Sequence, residues 1–524
     1  MNNEPGKKSY FLPSISDLIF FTVLFYLSFY TKSGMLGDGD TGYHIRAGEY
    51  IIKTLSIPKV DIFSFHTPPL PWTAHEWLSE VIMALIHHSF GLTGVVVFFS
   101  FILALTCYLI LRILRTYQTN ILATVVIIIL VIGSSTIHWL ARPHVFSLLF
   151  MVVWYYLLES WHYNRMNRLY FLPPIMLLWV NLHGGFLGGF LLLGAYFAGN
   201  FANLLTVSHP ERNQYKQKCR QLGLIIGGCI LVCLINPRGY HILLFPFNLV
   251  SNKFLMDHVA EFLSPNFHEM LPFKYLLLLM IAILAASRKR LDAVEIVLVL
   301  LFTNMALYSA RYIPLFALIV APIITRQTDH IPVLPDNAFT RFFRKRAHNL
   351  SKIDLSTQGY LWPAAATLIV VIAAMSGKIH HNFDEKVKAV AAVEFLKKEH
   401  INGNMFDNDE MGDYIIYATW PTYKVFFDGR SDMYGTAMMK EYFNIINLKP
   451  GWEQILDKYK ISWVIYDSDS TFTRFLLQRT DWHLIYADKV ASIFVKNIPA
   501  YQYLIDKYAH VKPVIVEDKE NSDK

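Results

Sequence analysis

The stretch GDGDTGYHIRAGEY, residues 37–50, decides how this chain is read. It follows the first long apolar run, residues 14–33, so it sets Asp38, Asp40, His44 and Glu49 at the surface of a membrane. A run of about 20 apolar residues crosses the hydrocarbon core of a bilayer. About eleven stretches qualify, centred on 14–33, 80–111, 120–137, 144–160, 169–182, 185–206, 221–235, 273–287, 292–309, 312–325 and 360–376. The composition agrees: 54% of the 524 residues are hydrophobic and 17% charged, and the mean hydropathy is +0.34. That is too apolar for an ordinary soluble enzyme.

Charge then orients the chain. With Lys7 and Lys8 inside, the short loops holding Arg112/Arg115, Arg165/Arg168, Arg212/Lys216/Lys218/Arg220, Arg288/Lys289/Arg290 and Arg341/Arg344/Lys345/Arg346 all fall on the cytoplasmic side. Positive loops stay inside, so the N-terminus is expected in and the C-terminus out. The net charge of +7 sits in these loops without interleaved aromatics, which argues against nucleic acid. Lys7 and Lys8 before an apolar run resemble a signal peptide, but no small-residue cleavage site follows, so the first span reads as an uncleaved anchor. Cys107, Cys229 and Cys233 lie in spans and Cys219 in an inner loop, so no disulfide framework is expected.

The organisation expected is a polytopic α-helical membrane domain over 1–377, with long outer loops at 34–79 and 236–272. An extracytoplasmic α/β domain over 378–510 and a charged tail over 511–524 complete it. In the α/β part, VEFLKKEH reads as a helix, NGNMFDND as a short strand running into a turn, ISWVIYDSD as a strand, YKVFFDGR as a strand with a polar end, and WHLIYADKVASIFVK as a hairpin around Asp488-Lys489.

The same topology sends most of the unusual polar groups to the outer surface. Asp38 and Asp40 would serve as a general base or metal ligand with His44 one helical turn from Asp40; the bland reading is a solvated, helix-capping loop. His75 and Glu76, flanked by Trp72 and Trp77, form either an acid/base element or a wet interfacial cap. Arg142, with His138 and His144, suits phosphate, or it snorkels to headgroups. Arg238 and Arg311 also stand against the positive-inside bias, so an anionic lipid phosphate would compensate all three. His183 follows Asn181 and precedes Gly184, Gly185, Gly188 and Gly189; the glycines allow close helix approach, and a polar residue at membrane depth is costly enough to suggest function. Asp428, Arg430, Asp432 and Tyr434 end an extended run where binding loops are common. Asp407, Asp409, Glu410 and Asp413 read as a salt-bridged turn and helix start. No Walker loop, dinucleotide fingerprint, nucleophile elbow or HExxH occurs in its proper context.

On GDGDTGYHIRAGEY and the topology, the chain resembles the GT-C superfamily of membrane glycosyltransferases, which take sugars from polyprenyl-phosphate carriers. Its first loop is most similar to the catalytic subunit of oligosaccharyltransferases; IPKVDIFSF resembles the Pro…Asp turn that follows there, and MGDYIIYATWPTYKVFFDGR resembles the acceptor-recognition segment after the last span. Over nearly its full length, through ARPHVFSLLF, WVNLHGGF, RYIPLFAL and VFFDGRSDMYG, it is similar to uncharacterised bacterial GT-C-type proteins. The resemblance implies Asp38 or Asp40 as catalytic acid, with Glu261 standing in for a later-loop carboxylate. Two family elements are missing: residues 138–143 contain no Asp-x-Asp, and the Trp-Trp-Asp-Tyr-Gly signature is absent. Transfer to an asparagine sequon is therefore not carried over, and a divalent ion (Mg or Mn) would rest on Asp38 and Asp40.

The expectation is inverting glycosyl transfer at the outer side of a bacterial inner membrane, from a polyprenyl-phosphate-linked sugar to a glycan, lipid or protein acceptor. Asp38, Asp40 and His44 form the catalytic set; His75, Glu76, Arg142, His144, His183, Arg238, Glu261, Arg311, Asp428 and Arg430 form the substrate-binding set. The rivals are a lipid-linked glycan transporter, a ligase or polymerase, and a non-catalytic envelope-complex subunit. A transporter would need a polar path, yet the inner halves of the spans carry almost no ionisable residues in this reading.

Overall fold

The computed structural model describes residues 11–117, 119–332, 337–357 and 359–514. Lys7, Lys8 and residues 515–524 of the charged tail lie outside them. The chain forms two compact units. One is built from the residues up to Lys32 together with Thr93–His380, the other from Ser33–Leu92 with the chain from His381 onward. The boundary within the Trp77–Arg115 helix falls between Leu92 and Thr93, next to a kink at Gly91, whose φ of +61° and ψ of −163° favour glycine.

In the first unit each of the expected apolar stretches is helical. Among the described residues, four helices are long and apolar enough to cross a membrane: Trp77–Arg115, Ile121–His138, His144–His162 and Gly184–Thr206. Shorter apolar helices include Ile15–Tyr30, Pro272–Ala286, Ala293–Tyr308 and Leu361–Met375. Local chemistry sets their starts. The Asp292 side chain and Glu295 form a capping box at Ala293–Tyr308, and a proline occupies the first turn of Leu172–Leu182, Pro272–Ala286 and Ile313–Thr328. Gly199 brings Leu187–Thr206 against Ala293–Tyr308: a Cβ there would sit 2.6 Å from the Val294 backbone. The helix ends beside the basic loops are not bare of ionisable groups. Arg326 pairs with Glu159 and, at 2.7 Å, with Glu295, and Tyr196 donates to Glu159 at 2.8 Å. Four helices that look apolar one at a time share this buried network.

In the second unit a four-stranded sheet has the order β1-β2-β4-β3, with β1 (Asn404–Phe406), β2 (Ile461–Asp467), β3 (Trp482–Ala487) and β4 (Ala491–Lys496). β1 runs parallel to β2, and the other pairs are antiparallel. The β3–β4 turn forms where expected, because the Asp488 carboxylate accepts the Val490 and Ala491 amides at 2.7 Å. YKVFFDGR departs from its expected strand. It is extended, but its backbone pairs with the first loop: Val425 N–H donates to the Phe63 carbonyl at 3.1 Å, and Phe65 N–H to Val425 at 3.4 Å. Its β-pattern was legible, whereas its partner lies some hundreds of residues away in sequence.

The helix Asp40–Thr54 rests on the helix Asp409–Thr419. Arg46 Nε donates to the Tyr417 carbonyl at 2.7 Å, and its guanidinium stands 5.2 Å from that tyrosine's ring. Glycines make the approach possible. A Cβ on Gly42 would lie 2.7 Å from Tyr417 Cβ, and one on Gly39 2.7 Å from Asp413 Cβ.

Candidate functional site: a carboxylate cluster and a histidine–arginine cluster

The second unit gathers the acidic residues of the first loop with those after residue 400. Asp40 opens its helix and is 7% exposed. Its amide is held by the Asp38 carboxylate at 2.9 Å. Asp413 is 2% exposed and accepts the Gly429 amide at 3.2 Å. A side chain on Gly429 would run into Asp40 Oδ1 and Asp413 Oδ2 together, so both carboxyls crowd the same spot beside that glycine. Burial, then Asp40, Asp428 and Asp38, push the Asp413 carboxyl well above the usual carboxylate range. Carboxylates crowded in this way are paired acids that do not all ionise together.

Beside this cluster lies Arg430, 3% exposed. It is bidentate to Asp428 (Nε to Oδ1 2.8 Å, Nη2 to Oδ2 2.6 Å) and reaches Asp61 of the first loop at 2.8 Å. Its guanidinium stacks 4.5 Å from Trp72 and 4.9 Å from Phe63, and Tyr434 donates to Asp428 at 2.7 Å. Burial opposes the ionised form of Asp61, but Arg430 and hydrogen bonds from Ser64 and Phe63 outweigh it and hold the carboxyl below its ordinary range. Arg430 and Asp428 therefore serve as a clamp between the first loop and the DGRSD turn. His44 is buried with Nδ1 3.4 Å from Glu80 Oε1, and His75 Nε2 lies 3.6 Å from Glu76 Oε1.

The first unit brings its own clusters into one chain of contacts. His144 Nε2 donates to the His138 carbonyl at 2.7 Å, and the two rings are 5.5 Å apart. The His183 ring is 6.2 Å from that of His144. His183 Nδ1 accepts the Gly185 amide at 2.9 Å and lies 2.7 Å from Ser147 Oγ, which receives the Trp179 indole N–H at 2.7 Å. A backbone donor on Nδ1 leaves the ring proton of neutral His183 on Nε2. Asn236 Nδ2 donates to the Val180 carbonyl at 2.8 Å and to Asn181 Oδ1 at 3.4 Å, while Asn236 Oδ1 accepts the Arg238 amide at 3.0 Å. Arg238 stacks on Phe245 at 4.7 Å. Arg311 pairs with Glu261 and stacks on Phe262 at 5.1 Å. Its compensating anion is therefore within the protein, and His138 lies in the field of Glu261, Arg311 and Arg142.

Sequence reasoning passed over Glu80 and Ser147, left Asp61 as part of a turn, and assigned Asp413 to a helix start. Asp413 carried a usable signal. Asn408 already caps its helix, accepting the Met411 amide at 2.8 Å, so an aspartate a turn deeper among apolar neighbours is not a capping group. Among the described residues, no three His, Cys, Asp or Glu side chains are placed to share a metal ion.

No protein-family model matches the sequence, and no curated protein matches it. Solved structures do. The crystal structure of the Archaeoglobus fulgidus oligosaccharyltransferase in the apo form superposes with a TM-score of 0.54 at 11% identity, covering 87% of this chain and 69% of that one. The archaeal oligosaccharyltransferase AglB from Archaeoglobus fulgidus, in complex with an inhibitory peptide and a dolichol-phosphate, superposes with a TM-score of 0.51 at 12% identity and the same coverage. The chain has the fold of these proteins, the GT-C architecture that the sequence resemblance implied.

Proposed function

We propose that this protein is a multi-span membrane glycosyltransferase that moves a sugar from a polyprenyl-phosphate-linked donor to an envelope acceptor. In this reading about eleven helices cross a bacterial inner membrane, with the N-terminus cytoplasmic and the chain after residue 378 outside. The observation that carries it is the Asp38/Asp40/Asp413 cluster, set at the opening of the first-loop helix in a chain with the oligosaccharyltransferase fold.

Each polar cluster is taken by itself for the part of the chemistry that its residue types suit. Asp40, positioned through its amide by Asp38, takes the proton of an acceptor hydroxyl. The acceptor oxygen attacks the anomeric carbon, the bond from that carbon to the phosphate oxygen breaks, and the lipid phosphate leaves with the electron pair, inverting the centre. A phosphate leaves readily enough that no covalent intermediate on the enzyme is required. Arg142 and Arg238, with His144 and His183 as directional groups, would bind the donor phosphate, and Arg311 would join them on leaving Glu261. His44, His75, Glu76 and Glu261 line the respective clusters, and Asp428 and Arg430 act on the acceptor side by holding the first loop. Among the described residues no third His, Cys, Asp or Glu is placed to share a Mg or Mn ion with Asp38 and Asp40, so no step is routed through one; activity after chelation tests that assignment.

The test is mass spectrometry of envelope glycans and lipid-linked precursors in a deletion strain carrying wild type, Asp38→Ala or Asp40→Ala. A lost glycan with accumulated donor, restored by wild type and not by Asp40→Ala, is expected. Full restoration by both variants would sink the assignment and favour transport or a docking role.

A further inference from the structure

The described helix Ala338–Ser356, AFTRFFRKRAHNLSKIDLS, takes no part in either polar cluster, and its surface is unusual. It begins at a capping box formed by Asn337 and Thr340, so it is a bounded helix and not the tail of a span. At 3.6 residues per turn its side chains sort into three sides. Ala347 and Asp354 are buried against the protein; the Asp354 carboxylate accepts the Ile15 amide at 2.7 Å and pairs with Arg115 at 2.5 Å. Phe342, Phe343, Leu350 and Ile353 lie along a second side and are 43–54% exposed. Arg341, Arg344, Lys345 and Lys352 lie along the third, all exposed, and Arg346 reaches over the Phe342 ring at 5.2 Å. The helix's one carboxylate is thus turned inward, and its exposed surface carries five basic and four large apolar side chains, with His348 and Asn349 the other exposed polar groups among them.

The surroundings say what such a surface meets. The next apolar helix, Leu361–Met375, opens with Tyr360, Leu361 and Trp362 exposed, and the Trp362 indole donates to the Phe11 carbonyl at 3.1 Å. Phe11 and Leu12 are exposed as well. Exposed Trp and Tyr at the mouth of an apolar helix mark the headgroup level. A bounded helix tied to that level through Asp354 and Ile15, with aromatic and basic sides, has the make-up of one lying in the interface.

We propose that Ala338–Ser356 is a docking surface for anionic phospholipids, its lysines and arginines on the headgroups and its phenylalanines in the boundary beneath. This rests on the membrane reading above and is independent of the reaction. The full-length protein is reconstituted in bilayer nanodiscs, either neutral phosphatidylcholine or the same lipid with phosphatidylglycerol. An environment-sensitive fluorophore is placed at Phe342→Cys or, as reference, at Leu368→Cys in the Leu361–Met375 helix, in a background lacking the native cysteines. Leu368 is 60% exposed on that apolar helix.

In anionic discs the label at 342 is expected to shift to shorter wavelength and to be quenched by brominated acyl chains. The shift should shrink in neutral discs, in high salt, and when Arg341, Arg344, Lys345 and Arg346 are changed to glutamine. Inorganic phosphate added to neutral discs should not produce it. Water-like emission at 342 in both lipids, with the reference label quenched, overturns the proposal and leaves this face to a protein partner. A reference label that is not quenched defeats the membrane reading itself.

Discussion

The two compact units solve the cost of burying charge in opposite ways. In the second unit carboxylates outnumber cations: one guanidinium serves both Asp61 and Asp428, and burial with Asp40 nearby pushes the Asp413 carboxyl up. In the first unit the polar cluster is built from arginines and histidines, with Glu261 paired to Arg311. The lesson is a division of labour. An acid-rich cluster can remove a proton and an arginine–histidine cluster can hold a phosphate, and neither does the other's task.

The sharpest way to break this comparison is Arg430→Met. It leaves Asp61 and Asp428 buried without their counter-charge, and removing one partner of a buried pair costs about 3–5 kcal/mol. Thermal unfolding in detergent should show a large loss of stability, and a near-normal melting temperature would mean that the clamp is dispensable. Glu261→Gln and Arg311→Gln probe the other unit and should act in opposite directions. Losing the arginine should raise the apparent KM for lipid-linked donor about tenfold, the worth of one charge-assisted hydrogen bond. Losing the glutamate should lower it, by freeing Arg311 for the phosphate. Equal KM values in both variants would make the pair purely structural.

A smaller effect distinguishes the acid-rich cluster by pH. The folded Asp413 carboxyl titrates above its unfolded value, so the folded state binds the extra proton. Its contribution to stability is full below the ordinary aspartate range and falls away as pH rises through the folded value. Asp413→Asn should flatten that decline, leaving the part due to the other carboxyls that burial pushes up, Asp407, Asp409, Glu410 and Asp467, the last to about 6. Melting temperatures from pH 4 to 8 measure it; an unchanged slope would show that Asp413 does not carry the proton.

Much of the architecture could be read from short-range pattern. Apolar runs of spanning length appear as helices, the Asp488 turn closes its hairpin, and Gly-Asp-Gly-Asp marks the start of a helix, because each depends on neighbours within a few residues. The pairings could not be read in that way. Asp40 with Asp413, Asp61 with Arg430, Arg311 with Glu261, and Glu159 and Glu295 with Arg326 join segments 31 to 373 residues apart. Whether a buried charge is a free binding group or one half of an internal pair depends on what the folded chain puts within 3 Å of it. Residue type sets which interactions are affordable; distance in the folded state, which Coulomb and hydrogen-bond energies follow steeply, sets which are made.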